Sequence, residues 1–323
     1  MVNFKIIYKV IGSLLFIEAI MMLACLAVSI YYRDDDIPAF LITITVTLLA
    51  AIGLKYKGYG AENSLGRREA YLLVTLIWLI FSALGALPFV ISGYLTSYTD
   101  AFFETMSGFT TTGATIIDDV EALPHGLLFW RSLTHWIGGL GIMFFTIAIL
   151  PSLVGGSVKV FSAEATGPIK SKMHPRLSTT AKWIWGIYLL ITASCAACFW
   201  LFGMGFFDSI NYSMSIAATG GFSTHNASMA FFDSAAIDYT AAIFMILSGV
   251  NFSLLYLLIL KGKVKDFVKD SELRFYLGVI SISTLFITYM LVTRNGISVT
   301  DSFLYALFQV SSFISSTGLF ITD

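Results

Sequence analysis

Three short Thr-Gly steps are the stretches of this sequence best suited to binding an ion. The first, at 110–115, reads Thr-Thr-Thr-Gly-Ala-Thr, and similar steps occur at 217–224 and 315–320. Each follows a semi-polar run that is too short to cross a membrane. Glycine permits backbone dihedrals that aim carbonyl oxygens at a shared axis, and small side chains let the walls of a passage approach each other. The pattern predicts an ion pathway lined by backbone carbonyls.

The composition is that of a polytopic membrane protein. Of the 323 residues, 57% are hydrophobic and 12% are charged, whereas a soluble domain carries about 25% charged residues. The net charge of -1 gives no indication of a nucleic-acid partner. All cysteines lie in apolar segments, where we expect buried thiols rather than a disulfide or a metal site. They are Cys25, Cys195 and Cys198.

Several apolar runs are long enough to cross the ~30 Å hydrocarbon core of a bilayer. They cover approximately residues 6–31, 38–55, 70–93, 126–150, 182–203, 237–260 and 272–293. Shorter runs near 100–111, 207–218 and 301–316 each lead into a Thr-Gly step. About 12 helical residues extend ~18 Å, roughly half of the membrane. We therefore expect three half-length pore helices.

The distribution of lysine and arginine indicates the orientation. With the N-terminus, 55–70, 151–182 and 261–274 on one side, that side holds nearly all of the basic residues. The exceptions are Arg33, Arg131 and Arg294. The positive-inside rule makes the basic side cytoplasmic, so the Thr-Gly loops enter from outside. Acidic outer loops would concentrate cations at the entrance, although solvation alone also explains those acids.

One order of elements recurs: spanning helix, half-helix, Thr-Gly loop, spanning helix. The expected parts are an N-terminal two-helix hairpin (1–69), pore repeat 1 (70–150), a cytoplasmic connection (151–181), pore repeat 2 (182–260) and a partial pore repeat 3 (261–323). About four such units would close a ring around a pore. The sequence therefore predicts an all-α polytopic membrane protein whose pseudo-fourfold pore is incomplete in this chain.

Polar residues recur at fixed places in the half-helices. Aligning Gly113, Gly220 and Gly318 puts Glu104, Asn211 and Gln309 at one common position. Near the helix starts stand Asp100, Asp208 and Asp301, which we expect to cap free N–H groups. Half-helices that end inside the membrane direct their partly negative C-termini towards its centre, which favours a dehydrated cation. Re-entrant packing without an ion is the alternative.

Three further polar residues lie in predicted spanning segments. We expect Arg131 to pair with an acid such as Glu104 rather than to repel cations directly. Asn251 is expected to hydrogen-bond between helices rather than to line the pore. Glu18 is costly in the first helix and is expected either to hydrogen-bond between helices or to lie near an interface.

Motifs in both complete repeats resemble the Trk/Ktr/HKT superfamily of potassium transporters. Residues 109–115, Phe-Thr-Thr-Thr-Gly-Ala-Thr, and 131–141, Arg-Ser-Leu-Thr-His-Trp-Ile-Gly-Gly-Leu-Gly, are similar to the first repeat of bacterial TrkH-type pore subunits. Residues 218–224 and 249–252 are similar to the second. The resemblance covers the whole chain, including two N-terminal helices that the shorter Ktr-type members lack. It implies four fused pore units, as in a potassium channel.

The resemblance also implies which backbone carbonyls form a selectivity filter that binds potassium. They are those of Thr111, Thr112, Gly113 and Ala114, of Ala218, Thr219, Gly220 and Gly221, and of Ser316, Thr317, Gly318 and Leu319. Glycine in every visible repeat favours potassium over sodium. K⁺ is then the transported ion, and we expect no cofactor and no catalytic residue. An intramembrane enzyme is disfavoured because the four histidines are scattered and no H-E-x-x-H motif is present.

By the same resemblance, the function is potassium uptake across the bacterial inner membrane through a multi-pass protein with a cytoplasmic N-terminus. The implied partners are a second copy in a homodimer and a cytoplasmic nucleotide-binding ring protein of the TrkA type. The family pattern continues with another helix in repeat three and a fourth repeat. We therefore expect a truncated product, and the alternatives to transport are a non-conducting fragment and a half-transporter that needs another chain.

Overall fold

In the computed structural model, residues 2–61, 66–141 and 177–322 are described, and the regular elements in these ranges are helices. They are α1 (Phe4–Tyr32), α2 (Ile37–Lys57), α3 (Arg67–Gly85), α4 (Leu87–Ile91), α5 (Tyr98–Phe109), α6 (His125–Gly139), α7 (Leu177–Leu201), α8 (Phe206–Ala217), α9 (Ala235–Ser248), α10 (Phe252–Lys261), α11 (Val264–Lys269), α12 (Ser271–Asn295) and α13 (Val299–Ile314). Most of the predicted connection 151–181 and part of the predicted span 126–150 lie outside the described residues.

Apolar helices of membrane-spanning length confirm the all-α membrane fold. Those long and apolar enough among the described residues are Phe4–Tyr32, Ile37–Lys57, Arg68–Ile91, Lys182–Leu201 and Ser271–Asn295. The three shorter helices α5, α8 and α13 stand where half-helices were predicted, and each begins and ends within about two residues of its predicted limits.

The predicted span at 237–260 contains a sharp bend that the sequence analysis did not anticipate. Helices α9 and α10 occupy it, but they meet at an angle of 98°. The break is built by Asn251, whose side-chain Oδ1 accepts a hydrogen bond from the backbone N–H of Ser253 at 3.0 Å and so caps a new helix. Asn251 therefore starts a helix instead of lying in the middle of one, and its Nδ2 is 3.5 Å from the Glu272 carboxylate.

The chain forms two compact units, Met1–Thr110 with Ala114–Trp185, and Thr111–Gly113 with Gly186–Asp323. In the first unit, the half-helix α5 packs against α3 and α6. Trp130 of α6 is fully buried, donates its indole N–H to the Gly85 carbonyl at 2.9 Å and meets Phe109 edge to face. A Cβ at Gly138 would overlap the Phe109 carbonyl oxygen. Glycine at this position lets α6 approach the last turn of α5.

In the second unit, the half-helices α8 and α13 share one apolar core with α9. Its fully buried members include Tyr212 and Ile216 from α8, Met245 from α9 and Phe308 from α13. Burial of a large apolar side chain contributes about 1.5–3 kcal/mol. The core therefore fixes the positions at which the two half-helices end.

Serines cap two of the half-helices, so the expectation that aspartates do so is wrong. The Ser97 hydroxyl oxygen accepts from the Asp100 N–H at 3.3 Å, and that of Ser298 accepts from the Asp301 N–H at 3.1 Å. Helix α8 begins after Gly205 without a side-chain cap. The aspartates occupy the first turns, where a negative charge suits the helix dipole.

Replacing Ser298 with alanine is expected to lower the free energy of unfolding by about 1 kcal/mol, because the first turn of α13 loses its cap. Thermal unfolding of the detergent-solubilised protein measures this change. Ser281→Ala is the matched control, since the Ser281 hydroxyl bonds only within α12, to the Leu277 carbonyl. Equal stability of the two variants would contradict the capping role.

Candidate ion-filter site

The three Thr-Gly steps share one backbone conformation. A positive φ occurs at Thr111 (53°) and Gly113 (74°), at Thr219 (53°) and Gly221 (87°), and at Ser316 (57°) and Gly318 (82°). In an ordinary extended strand successive residues point to opposite sides. A left-handed residue at every second position cancels that alternation and turns successive carbonyls to the same side. Threonine and serine rarely adopt positive φ, and such residues cluster at functional sites.

This conformation corrects the alignment of the second repeat by one residue. The positive-φ glycine that corresponds to Gly113 and Gly318 is Gly221, and Gly220 does not have a positive φ. The helix ends agree, because α5, α8 and α13 each end four residues before that glycine. The segment equivalent to 111–114 and 316–319 is therefore 219–222, and Ala218 caps α8 instead of belonging to it. In chain order, these three segments are named the first, second and third candidate filter strands. The alignment from the sequence had used Gly220, the first of two adjacent glycines.

The strands come together within the second compact unit. A Cβ at Gly113 would overlap the carbonyl oxygen of Gly220, and a Cβ at Gly221 would overlap that of Thr317. Gly220 and Thr317 occupy equivalent places, each directly before a positive-φ glycine. The same contact is therefore made twice, between the first and second strands and between the second and third. Only glycine allows so close an approach of backbone to backbone.

Serines of the half-helices hold the last carbonyls of two strands. The Ser107 hydroxyl donates to the Ala114 carbonyl at 2.6 Å, and the Ser312 hydroxyl donates to the Leu319 carbonyl at 2.7 Å. Both serines stand six residues before the positive-φ glycine, and Ser215 holds that place in the second repeat. Because Ala114 and Leu319 already accept from hydroxyl groups of their own repeats, the preceding three carbonyls of each strand are the better candidate ligands.

If the strands form the potassium filter that the sequence predicts, replacing Ser107 with alanine is expected to weaken discrimination between potassium and sodium about fivefold, because loss of a hydrogen bond worth ~1 kcal/mol releases the Ala114 carbonyl. The measurement is the ratio of the two uptake rates at equal amounts of protein. Ser132→Ala is the control, because the buried Ser132 hydroxyl bonds the Leu128 carbonyl of its own helix. An unchanged ratio in Ser107→Ala would show that the hydroxyl does not hold the strand.

A buried ion pair lies beside the end of the first strand, as predicted for Arg131 and Glu104. The Arg131 Nε donates to Glu104 Oε1 at 2.8 Å, and the side chains are 2% and 0% exposed. The Glu104 carboxylate also accepts from the Thr115 hydroxyl and from the Ile116 backbone N–H, both at 3.0 Å. The ion pair is confirmed. The two contacts with the chain after Ala114 could not be derived from spacing.

Comparison with known proteins identifies the family. The chain matches the TrkH family, described as cation transport protein, over residues 36–321. The chain belongs to the TrkH family. The Trk system potassium uptake protein TrkH of Salmonella typhimurium is 39% identical over 99% of this chain and 67% of that protein. The one from Vibrio parahaemolyticus is 40% identical with the same coverage.

A solved structure agrees with this family membership. The crystal structure of the potassium transporter TrkH from Vibrio parahaemolyticus matches with a TM-score of 0.87 and 36% identity, over 99% of this chain and 66% of that one. The chain thus spans about two thirds of the length of its TrkH relatives. The sequence analysis had found a resemblance to this superfamily over the whole chain, and the structural agreement covers 99% of it.

The position of Glu104 is occupied by different residue types in the other two repeats of this TrkH-family chain. In the corrected register, the residues equivalent to Glu104 are Tyr212 and Gln309. Asn211, predicted there, instead donates its Nδ2 to the Phe207 carbonyl of its own helix at 2.7 Å. The Tyr212 hydroxyl donates to the Ser228 carbonyl at 3.0 Å. At this position a neutral side chain contacts the loop after the second Thr-Gly step, where the first repeat has a charged one. Asp208, earlier on α8, also contacts that loop, since its carboxylate accepts from the Thr224 hydroxyl at 2.7 Å.

Proposed function

We propose that this protein forms the pore of a potassium-uptake system and passes K⁺ inward through a channel-like passage with a backbone-carbonyl filter. The observation that carries the proposal is the repeated contact of a positive-φ glycine with a carbonyl of the next strand, at Gly113 and at Gly221. The names of the relatives as Trk system potassium uptake proteins support potassium as the ion. A non-conducting fragment is less well supported, because 99% of the chain aligns with those proteins.

The proposed ligands are three successive carbonyls in each strand. They belong to Thr111, Thr112 and Gly113, to Thr219, Gly220 and Gly221, and to Ser316, Thr317 and Gly318. These oxygens replace the water shell of the ion, and the partly negative C-termini of the half-helices stabilise it after dehydration. No covalent step and no cofactor are required. The three pore repeats, two complete and one partial, each supply one wall of the passage.

The proposal includes a location and partners. A bacterial inner membrane with the N-terminus in the cytoplasm agrees with the basic residues that flank the predicted spans. As in the superfamily that the sequence resembles, the protein forms a homodimer and is gated by a cytoplasmic nucleotide-binding ring protein. The basic loop at 261–274 belongs to the surface that would face this partner.

The test is growth at low potassium of a host that lacks its own uptake systems. The 323-residue chain is compared with an extended protein, in which the remaining third of the Vibrio parahaemolyticus relative is joined to it. We expect the extended protein to restore growth, and Gly113→Ser to weaken its preference for potassium over sodium. Failure of the extended protein to take up potassium, when it is present in the membrane, would refute the proposal. Rescue by the short chain alone would show that its copies complete the pore.

A further inference from the structure

We propose that Glu104 and Arg131 form a positioning pair, which fixes the outer end of the first filter strand and so contributes to the preference for potassium over sodium. The inference rests on the proposed function, since it concerns the same passage. Neither residue contacts the ion. Both act through Thr115 and Ile116, the residues that follow Ala114.

One carboxylate connects three parts of the first repeat. Glu104 projects from the half-helix α5, Arg131 from the spanning helix α6, and Thr115 and Ile116 from the chain that leaves the filter. The Glu104 oxygens accept from Arg131 Nε, from the Thr115 hydroxyl and from the Ile116 N–H. Arg131 Nη2 donates to the Thr115 hydroxyl oxygen at 3.3 Å. The Thr115 hydroxyl therefore contacts both members of the pair.

Stability alone does not explain a buried pair of this kind. Removing two charges from water is costly, and well-packed apolar residues often replace a buried ion pair without loss of stability. Apolar residues, however, provide no acceptor for the Thr115 hydroxyl and the Ile116 N–H, which both donate to the Glu104 carboxylate. The carboxylate therefore ties the end of the strand to α5, and its own charge, fully buried, is balanced by Arg131. A pair that holds the backbone in this way has a positioning role, whereas apolar residues could replace a pair that served only to fill space.

A second contact fixes the same end of the strand. Ser107, one turn further along α5, holds the Ala114 carbonyl at 2.6 Å. Three successive residues, Ala114, Thr115 and Ile116, are therefore bonded to side chains of α5. The equivalents of Glu104 in the other described repeats, Tyr212 and Gln309, carry no charge. An acid at the Glu104 position is thus found in the first repeat alone among the three that the structure describes, whereas in the second repeat Asp208, earlier on α8, accepts from the Thr224 hydroxyl at 2.7 Å.

The experiment uses Thr115→Val, which keeps the shape of the side chain and removes the hydroxyl that contacts both charges. Thr105→Val is the control for the same loss of a hydroxyl, because Thr105 lies on α5 near Glu104 but donates to the Ala101 carbonyl of its own helix at 2.7 Å. The double variant Glu104→Gln with Arg131→Gln removes both charges and leaves no unpaired buried ion. The extended proteins are purified into vesicles, and potassium and sodium uptake are measured at equal protein amounts.

We expect the ratio of potassium to sodium uptake to fall about tenfold in Thr115→Val, the loss expected for one hydrogen bond to a charged group, and further in the double variant. Thr105→Val should retain the original ratio. An unchanged ratio in both Thr115→Val and the double variant overturns the inference, and so does a proportional loss of both ions, which indicates a merely structural role. If the unsubstituted extended protein takes up no potassium, the proposed function itself is refuted.

Discussion

Replacing Gly221 with alanine should abolish potassium uptake by the extended protein, whereas replacing Gly220 with alanine should preserve most of it. Gly221 has a φ of 87°, and an alanine in the left-handed region costs about 1–2 kcal/mol. Its Cβ would in addition overlap the Thr317 carbonyl oxygen, so the second and third strands would have to separate. Gly220 does not have a positive φ. Its equivalents Thr112 and Thr317 carry side chains, so we expect this position to accommodate the methyl group of alanine.

Uptake of potassium per amount of membrane-inserted protein distinguishes the two variants. Gly93→Ala is the control, because Gly93 also has a positive φ, 83°, but a Cβ there meets no atom within 4 Å. The Gly93→Ala variant should be somewhat less stable than the unsubstituted protein and should take up potassium at the same rate. The opposite result, an active Gly221→Ala and an inactive Gly220→Ala, would restore the register read from the sequence and contradict the one seen in the backbone.

Replacing Arg131 with methionine should prevent accumulation of folded protein. The substitution leaves the Glu104 carboxylate buried without its counter-charge, and breaking a buried pair from one side costs about 3–5 kcal/mol. Total stabilities of about 5–15 kcal/mol leave little reserve for such a loss. The double variant with Glu104→Gln and Arg131→Met should recover folding, because it contains no isolated buried charge. Thermal unfolding in detergent and the yield of monodisperse protein measure both effects.

An exposed ion pair provides the comparison for Arg131→Met. Lys263 and Asp266 lie 3.4 Å apart, with side chains 56% and 60% exposed. Lys263→Met should change the unfolding temperature little, since solvent screens such a pair and its contribution is about 0–1 kcal/mol. If Arg131→Met lowers the unfolding temperature as little as Lys263→Met does, the buried Glu104 carboxylate does not require Arg131 for stability.

The sequence was sufficient for features that depend on hydropathy and on repetition. The half-helices α5, α8 and α13 were predictable because each apolar run is too short to span and is followed by a Thr-Gly step. The pairing of Arg131 with an acid such as Glu104 was predictable, because a buried arginine requires a negatively charged partner. Its contacts with Thr115 and Ile116 were not, since they depend on where the strand turns after the filter.

Two failures have definite physical causes. The break at 249–251 is invisible to hydropathy, because three residues hardly change the average over a span, whereas a single Asn cap is enough to start a new helix. The register at Gly220 and Gly221 was ambiguous because both residues can adopt a positive φ. Only the backbone conformation, shared with Thr111–Gly113 and Ser316–Gly318, decides between them.

The bend between α9 and α10 has an electrical consequence in a membrane oriented as proposed. Helix α9 has 14 residues, or about 21 Å, which is less than the ~30 Å of a hydrocarbon core. The polar backbone at its end is satisfied in part by Tyr276, whose hydroxyl donates to the Ile246 carbonyl at 3.2 Å. Irregular backbone at this depth is tolerated inside protein or beside water. Water at this backbone makes the hydrophobic layer thinner, so the transmembrane voltage falls mainly across the outer half of the membrane. Moving one charge through that voltage corresponds to ~2.3 kcal/mol per 100 mV.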